Sequence, residues 1–374
     1  MTNVRDLVAD LDWPALAQPI ARAEDALARL DERLDKSPIR EGWIARTHFL
    51  DAAAALWLEG ELVQIEDLVL HDAGMDVRTP THELTRAHAI LRTRRRIASA
   101  EPRWALSRAG LDALRGRAGE VAGEGVSDSE DAATYEEEED SAPLAGRDEE
   151  EYAELFGSVD AAIAYADKTL AGEASAPPPP AAERDPLVYD LDWDENARLA
   201  EWNAIVAETR ELPPTLAAAL AAETWIAIEP LQHALGLGRL LAAALLRERG
   251  KTGVHLACLA EGARAAPRER RRSRDSVTRL VAQLDGMTAA AKLGLELHDR
   301  WLLARLVLLR KLHGRRSTSR LPELIEYVIS RPLVSAGMIA RELGVTPRAA
   351  QNLVAELGLR EATGRGRYRA WGIT

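Results

Sequence analysis

Apolar residues recur at three- and four-residue intervals along most of this chain, which is the period of one face of an α-helix. Leu16, Ile20, Ala23, Leu27 and Leu30 form one such stripe behind Asp12-Trp13-Pro14, where Asp12 is placed to cap the helix. Further helices are expected from Trp43 to Leu58, over the run Leu62 to Leu70, and from Thr81 through Leu91 into Arg92–Arg96. After residue 187 the same period returns at Leu199, Trp202, Ile205 and Val206, then over Leu216–Ile228 and Gly238–Arg249. Trp301–Leu312 is apolar enough to be expected at the centre of its domain. Val188–Trp193 echoes Val8–Trp13, which reads as a second capped helix entrance with Asp192 at the cap. No strand pattern of consequence precedes the C-terminus.

Between these helical regions the pattern stops. Residues 119–187 hold Glu136-Glu137-Glu138-Glu139-Asp140, Asp148–Glu151 and Pro177–Pro180. Like charges repel, proline removes a backbone donor, and little apolar surface is left to bury, so this segment reads as a disordered acidic linker. A short helix from Glu151 to Leu170 (Leu155, Phe156, Val159, Ile163) fits inside it. The expected organisation is an N-terminal helical region (1–118), the linker (119–187), a central helical domain (188–320) and a C-terminal domain (321–374).

The C-terminal domain carries the most specific pattern. Leu321, Leu324, Ile325, Val328 and Ile329 line one helix, ended by Arg331-Pro332. Ser335 caps a second helix, Ala336–Leu343, and Gly344 supplies the left-handed turn. Thr346 caps a third helix with Pro347 at its first position, where a missing N–H costs nothing. Small Ala340 at the close approach, with Ile339, Leu343, Val345, Ala350 and Leu353 filling the core, completes a helix-turn-helix. Arg348, Gln351 and Asn352 are left facing outward, and Arg, Gln and Asn are the side chains that make paired contacts with guanine and adenine edges. Two short alternating segments around Gly364-Arg365-Gly366-Arg367 then read as a β-hairpin, a wing placing Arg365, Arg367 and Arg369 at the backbone or minor groove.

Charge at first opposes that reading, since the 374 residues sum to −12. The excess is local: from Ala118 to Leu187 twenty acidic residues face three basic ones, which leaves the remainder of the chain at +5. From Arg315 onward there are ten Arg and five Glu, so the DNA-facing end is basic. Ala and Leu dominate the core, as suits helices. The single cysteine, Cys258, forms no internal disulfide and no Cys-rich zinc site. The N-terminus lacks a signal-peptide apolar run, and no apolar stretch reaches the ~18 residues of a membrane span, so a cytoplasmic protein without membrane contact is expected.

The segment Leu359–Arg367 resembles the winged helix that closes many Fic proteins. Ala54-Ala55-Leu56-Trp57-Leu58-Glu59-Gly60 is similar to the Fic inhibitory motif, and Ile228–Leu241 to a shortened Fic active-site loop and its following helix. The resemblance implies that Glu229 stands where the family has its catalytic His. Gln232 or His233 stands in place of the magnesium-binding acid, and Gly236 in place of the first phosphate-binding arginine. Without that acid and that arginine the charge neutralisation that nucleotidyl transfer needs is gone, so the body is read as degenerate Fic-like and not an enzyme, with no catalytic residue and no cofactor. What the resemblance leaves is the inhibitory pairing, expected here as a tie between Glu59 and Arg239 joining the N-terminal and central regions. The chain as a whole also resembles a family of rhizobial and other alphaproteobacterial proteins with a C-terminal helix-turn-helix.

Other motifs carry less. His82 and His88 are six residues apart, not the four that put two zinc ligands on one helical face. His71, Asp72 and Asp76 read as a loop with capping acids rather than a metal site. Arg92–Arg96 and the six arginines between Arg264 and Arg274 read as flanking phosphate contacts, solvated helix faces or a docking surface for the acidic linker. The chain is therefore expected to be mostly α, a multi-helix body with a C-terminal winged helix-turn-helix. Its expected function is to bind double-stranded DNA as a homodimeric transcriptional regulator. A Fic-type transferase with a rearranged site, and an antitoxin-like protein that docks a protein partner through its winged helix, are the alternatives.

Overall fold

The computed structural model describes residues 11–75, 79–122, 190, 192–312, 320–362 and 369–373. The acidic segment, with the helix expected over 151–170, lies outside the described residues. Helices form where the period predicted them: α1 (Trp13–Asp35), α2 (Arg40–Glu59), α3 (Ile65–Asp72), α4 (His82–Ser99) and α5 (Arg108–Ala122) before that segment. After it come α6 (Glu195–Glu208), α7 (Pro214–Ile228), α8 (Leu237–Glu248), the short α9 (Leu259–Arg264) and α10 (Arg268–Arg271), and the 35-residue α11 (Ser276–Arg310). The C-terminal region adds α12 (Leu321–Ser330), β1 (Val334–Ser335), α13 (Ala336–Leu343), α14 (Pro347–Leu357), β2 (Arg360–Glu361) and β3 (Ala370–Gly372).

One core serves regions that are far apart in sequence. Leu16, Leu27 and Trp43 from the first helices pack in the same apolar cluster as Trp202, Trp225 and Leu284, and this cluster runs on into Leu324, Ile339 and Ala350. The helices on either side of the acidic segment thus bury each other, and 1–118 and 188–320 do not hold separate cores. At the centre lies α7, buried from Thr215 to Trp225. Its alanines let neighbours approach closely, and Gly238 of α8 rests against Trp225, whose ring stands about where a Cβ would be, 2.5 Å from Cγ. Buried indoles need a partner for their N–H. Trp43, Trp202 and Trp225 donate to the carbonyls of Gly294, Ala221 and Ala234, each at 3.0 Å.

Two sequence expectations are corrected. Trp301 and Leu308 are buried, but Leu303, Leu306 and Val307 are 63%, 47% and 45% exposed, so Trp301–Leu312 edges the core instead of filling it. Asp12 does cap α1, accepting from Ala15 N, but the second entrance is capped by Asp194 rather than Asp192. The Asp192 amide instead donates to the Asp190 carboxylate, two residues back.

A buried ion pair binds three layers together. Arg94 of α4, 1% exposed, donates to Asp51 of α2 at 2.6 Å and to the carbonyls of Leu256 and Ala257. The other Asp51 oxygen accepts from Glu261 N. A buried charge is tolerable only when it is paired and hydrogen-bonded; the two terminal nitrogens of this guanidinium find carboxylate and carbonyls together, while Nε has no partner among the described residues. Asp51→Ala is expected to cost about 3–5 kcal/mol because it leaves Arg94 unpaired. Replacing both residues with apolar ones should cost less; chemical denaturation of the two variants measures the difference.

Candidate nucleic-acid interface

The C-terminal helices are shaped by their caps. The Ser335 hydroxyl accepts from Met338 N at 3.2 Å, and Thr346 accepts from Ala349 N at 3.2 Å. Gly344 (φ 61°) and Gly358 (φ 63°) end α13 and α14 in the left-handed conformation that disfavours other residues. Ile339, Leu343, Ala350, Val354 and Leu357 are buried between the helices, with Val345 and Leu353 packed partly against them. Val354, absent from the expected core, takes a central place in it.

This packing turns one face of α14 outward. Thr346, Arg348, Gln351 and Asn352 are all exposed, three of them spaced along the first two turns of α14. Thr346 spends an oxygen lone pair on the cap but keeps its O–H donor. Arg369 stands on the neighbouring strand pair and is held by Glu361, at 2.8 Å from Nε, while its guanidinium lies 5.8 Å from the Trp371 ring centre. Arg365 and Arg367 lie outside the described residues. The strands form a three-stranded antiparallel sheet in the order β1-β3-β2, with Val334 opposite Trp371 and Arg360 opposite Gly372. Exposed Arg360 on β2 is a cation that the sequence reading passed over.

The C-terminal domain is bolted to the helical body. Ile329 sits so close to Gly42 that a Cβ there would lie 2.8 Å from its Cγ2. Arg46 of α2 reaches the Val328 and Ile373 carbonyls, while Lys311 at the end of α11 donates to Leu357 O at 2.7 Å. That lysine places a positive charge at the C-terminus of α14, where the helix dipole favours it. Arg341 donates to Ala73 O, and Arg305 pairs with Glu326. None of these long-range partners has a sequence signal, because each joins residues more than twenty positions apart.

Asp72 is the most heavily engaged acid of this junction. It accepts two bonds from Arg95, at 2.5 and 3.0 Å, one from Arg331 of the C-terminal domain at 3.3 Å, and lies 3.4 Å from His88 Nε2. Burial alone would raise its pKa, but the His88 hydrogen bond and the Arg95 and Arg331 charges outweigh it and hold the carboxyl well below the usual range. The basic run Arg92–Arg96 is therefore not one solvated face: Arg94 is spent in the core and Arg95 on Asp72. In the second cluster Arg264 pairs with Glu261 and Arg270 with Asp285, and the Arg264 and Arg271 guanidiniums lie over Trp57.

The segment Ile228–Leu241, expected from the sequence to be a degenerate Fic-like loop, is spent on holding the chain. The Gln232 amide accepts from Asp190 N at 2.8 Å and donates to Asp190 O at 2.9 Å, and Glu229 O accepts from Trp193 Nε1. Glu229 (φ 49°) and His233 (φ 57°) both adopt the left-handed region without being glycine, a cost sustained only where surrounding contacts impose it. Glu59 bonds Arg86 at 2.6 Å, and a Cβ at Gly236 would lie 3.0 Å from its other oxygen. Burial raises the Glu59 pKa, opposed chiefly by Arg86 and also by Arg239. Arg239 lies near enough to exchange charge stabilisation with Glu59, while its buried Nε has no hydrogen-bond partner among the described residues. Among the described residues no group of three or more His, Cys, Asp and Glu could hold a metal ion, and no helix is long and apolar enough to cross a membrane.

Residues 321–374 match the model of a helix-turn-helix DNA-binding domain, and residues 187–313 match a family of proteins of unknown function, DUF1612. The chain is 48% identical over 384 aligned residues to the uncharacterised protein y4cF of Sinorhizobium fredii, covering 98% of this chain and 99% of that one. The chain belongs to that rhizobial family. Its helix-turn-helix domain thus comes joined to a DUF1612 domain, and the match to y4cF extends across both.

Asp72 yields a test of the junction. Its depressed folded-state pKa means that its contribution is complete above the unfolded value near ~4 and is lost as pH falls below it. Asp72→Asn should cost about 1–3 kcal/mol near neutral pH. The deficit relative to the native protein should shrink as pH falls below ~4, read by urea unfolding across that range.

Proposed function

We propose that this protein is a sequence-specific, double-stranded DNA-binding transcriptional regulator of the cytoplasm. The reading rests on one observation: Arg348, Gln351 and Asn352 stand together, exposed, on the first turns of α14, while its opposite face is buried. A helix presented this way enters the major groove, where Arg reads guanine and Asn or Gln reads adenine. The segment from Arg360 to Arg369 acts as the wing, with Arg360, Arg365 and Arg367 neutralising phosphates. The helical body carries no catalytic step in this account; it holds the reading helix and forms the dimer.

A dimer follows from the size of the reading surface, since one short helix contacts few base pairs and two half-sites multiply affinity and specificity. We infer that the second copy seats on α11. Leu303, Leu306 and Val307 form an exposed apolar stripe there, in the same turns as Arg305, whose pair with Glu326 anchors the C-terminal domain. An antiparallel pairing about a two-fold axis between Ala304 and Arg305 sets Leu303 against the partner's Leu306. The same register sets Asp299 opposite the partner's Arg310, a complementary pair at each end of the stripe.

Selection from a random DNA pool, followed by affinity against salt, tests the reading. A defined site should emerge, with affinity falling steeply as salt rises. Arg348→Ala or Asn352→Ala should each weaken it by about 1–3 kcal/mol, and Leu303→Glu should turn a sedimenting dimer into a monomer with a flattened DNA isotherm. Weak binding without sequence preference would sink the regulator reading, and a wild-type monomer would sink the dimer.

A further inference from the structure

A cleft of 460 Å³ opens on the body between α2, the end of α4, the end of α8 and residues 254–256. Arg40, Arg95 and Arg247 line it with one acid, Glu41; Arg40 pairs with Glu41 and Asp35, Arg95 with Asp72, and Arg247 donates through one nitrogen to the Ile97 and Ala100 carbonyls. Two histidines complete the lining. His48 is 6% exposed and His255 3%, and His48 Nδ1 and His255 Nε2 are buried without a hydrogen-bond partner among the described residues. An unsatisfied buried nitrogen is costly and rare, so two beneath the wall of one cleft point to a ligand that reaches them as the side chains over them part.

The site is built rather than incidental. Asp31 orients the His255 ring through Nδ1 at 2.9 Å and is itself fixed by the amides of Gly253 and Val254. The opposite ring nitrogen is thereby held with nothing to bond. Burial, with Arg94 and Arg95 nearby, keeps His48 neutral by pushing its pKa well below the ordinary value. A neutral imidazole nitrogen bonds a hydroxyl, while guanidiniums bond anionic oxygens in pairs. The volume suits a small metabolite.

We propose that this cleft binds a small hydroxylated oxyanion, either a phosphate or a hydroxycarboxylate. The arginines take the anionic oxygens and His48 and His255 take the hydroxyl. Arg95 also grips Asp72, which holds Arg331 of the C-terminal domain, so an anion that draws on Arg95 changes the junction beneath the DNA-reading helix. Calling the ligand an effector rests on the regulator reading above; the binding itself does not.

Calorimetry on the full chain with inorganic phosphate and with malate as probes, alongside NMR of the histidine ring nitrogens, tests the site. Saturable heat with one probe and a shift of the His48 and His255 ring resonances is expected, and the probe that binds names the source. Arg40→Gln, at a partly exposed position, should weaken binding roughly tenfold while leaving the melting temperature unchanged. Arg348→Ala should not alter it, so a failure of the DNA reading stays distinct from a failure of this one. No heat and no ring shift at millimolar probe would overturn the proposal. So would binding that chloride matches and Arg40→Gln leaves untouched. If binding holds, the occupied protein should show a changed DNA affinity; an unchanged one would leave the site without an effector role.

Discussion

Arg46 is the contact on which the arrangement of the molecule turns. Its side chain is buried, 6% exposed, with the guanidinium 4.4 Å from the Trp301 ring centre of α11. It is aimed at the carbonyls of Val328 and Ile373, which come from near the two ends of the C-terminal domain's sequence. Burial drives its pKa down to about 10, so the group stays protonated at neutral pH and must keep its acceptors. One α2 side chain thereby joins the long helix, the first helix of the DNA-binding domain and its last strand. The helix α14 is held on a frame by this contact and by Lys311 at its C-terminus.

That constraint shapes how the protein can read DNA. When a reading helix is fixed to a large body, the distance between two half-sites is set by how two bodies meet. In the proposed dimer, the exposed Leu303 and Leu306 on α11, beside the docked domain, would set the half-site spacing. The proposed effector site would use the same frame. Arg95 and Arg331 bond the same Asp72 carboxylate, which is the contact that the proposed effector would act through.

Local features were legible in the sequence and long-range ones were not. The caps at Ser335 and Thr346, the turn at Gly344 and the stop at Gly358 are decided by neighbouring residues, and all four stand where the pattern placed them. The outward face of α14 followed from the same periodicity. Arg94 and Arg95 could not be told from their solvated neighbours, because what buries one and pairs the other is Asp51 and Asp72, over twenty residues away. Trp301–Leu312 misled for the complementary reason: apolar content measures what a helix can bury, not what is there to cover it. Gln232 looked like a lost metal ligand, and its actual work, clamping Asp190, needed the fold to be seen.

Methylation interference on the selected DNA site tests the central claim most directly. Guanine N7 lies in the major groove, where α14 is held to read. Methylation there should block binding at two clusters separated by about one helical turn, or a multiple of it. Binding indifferent to N7 methylation, with interference confined to minor-groove adenine N3, would contradict it.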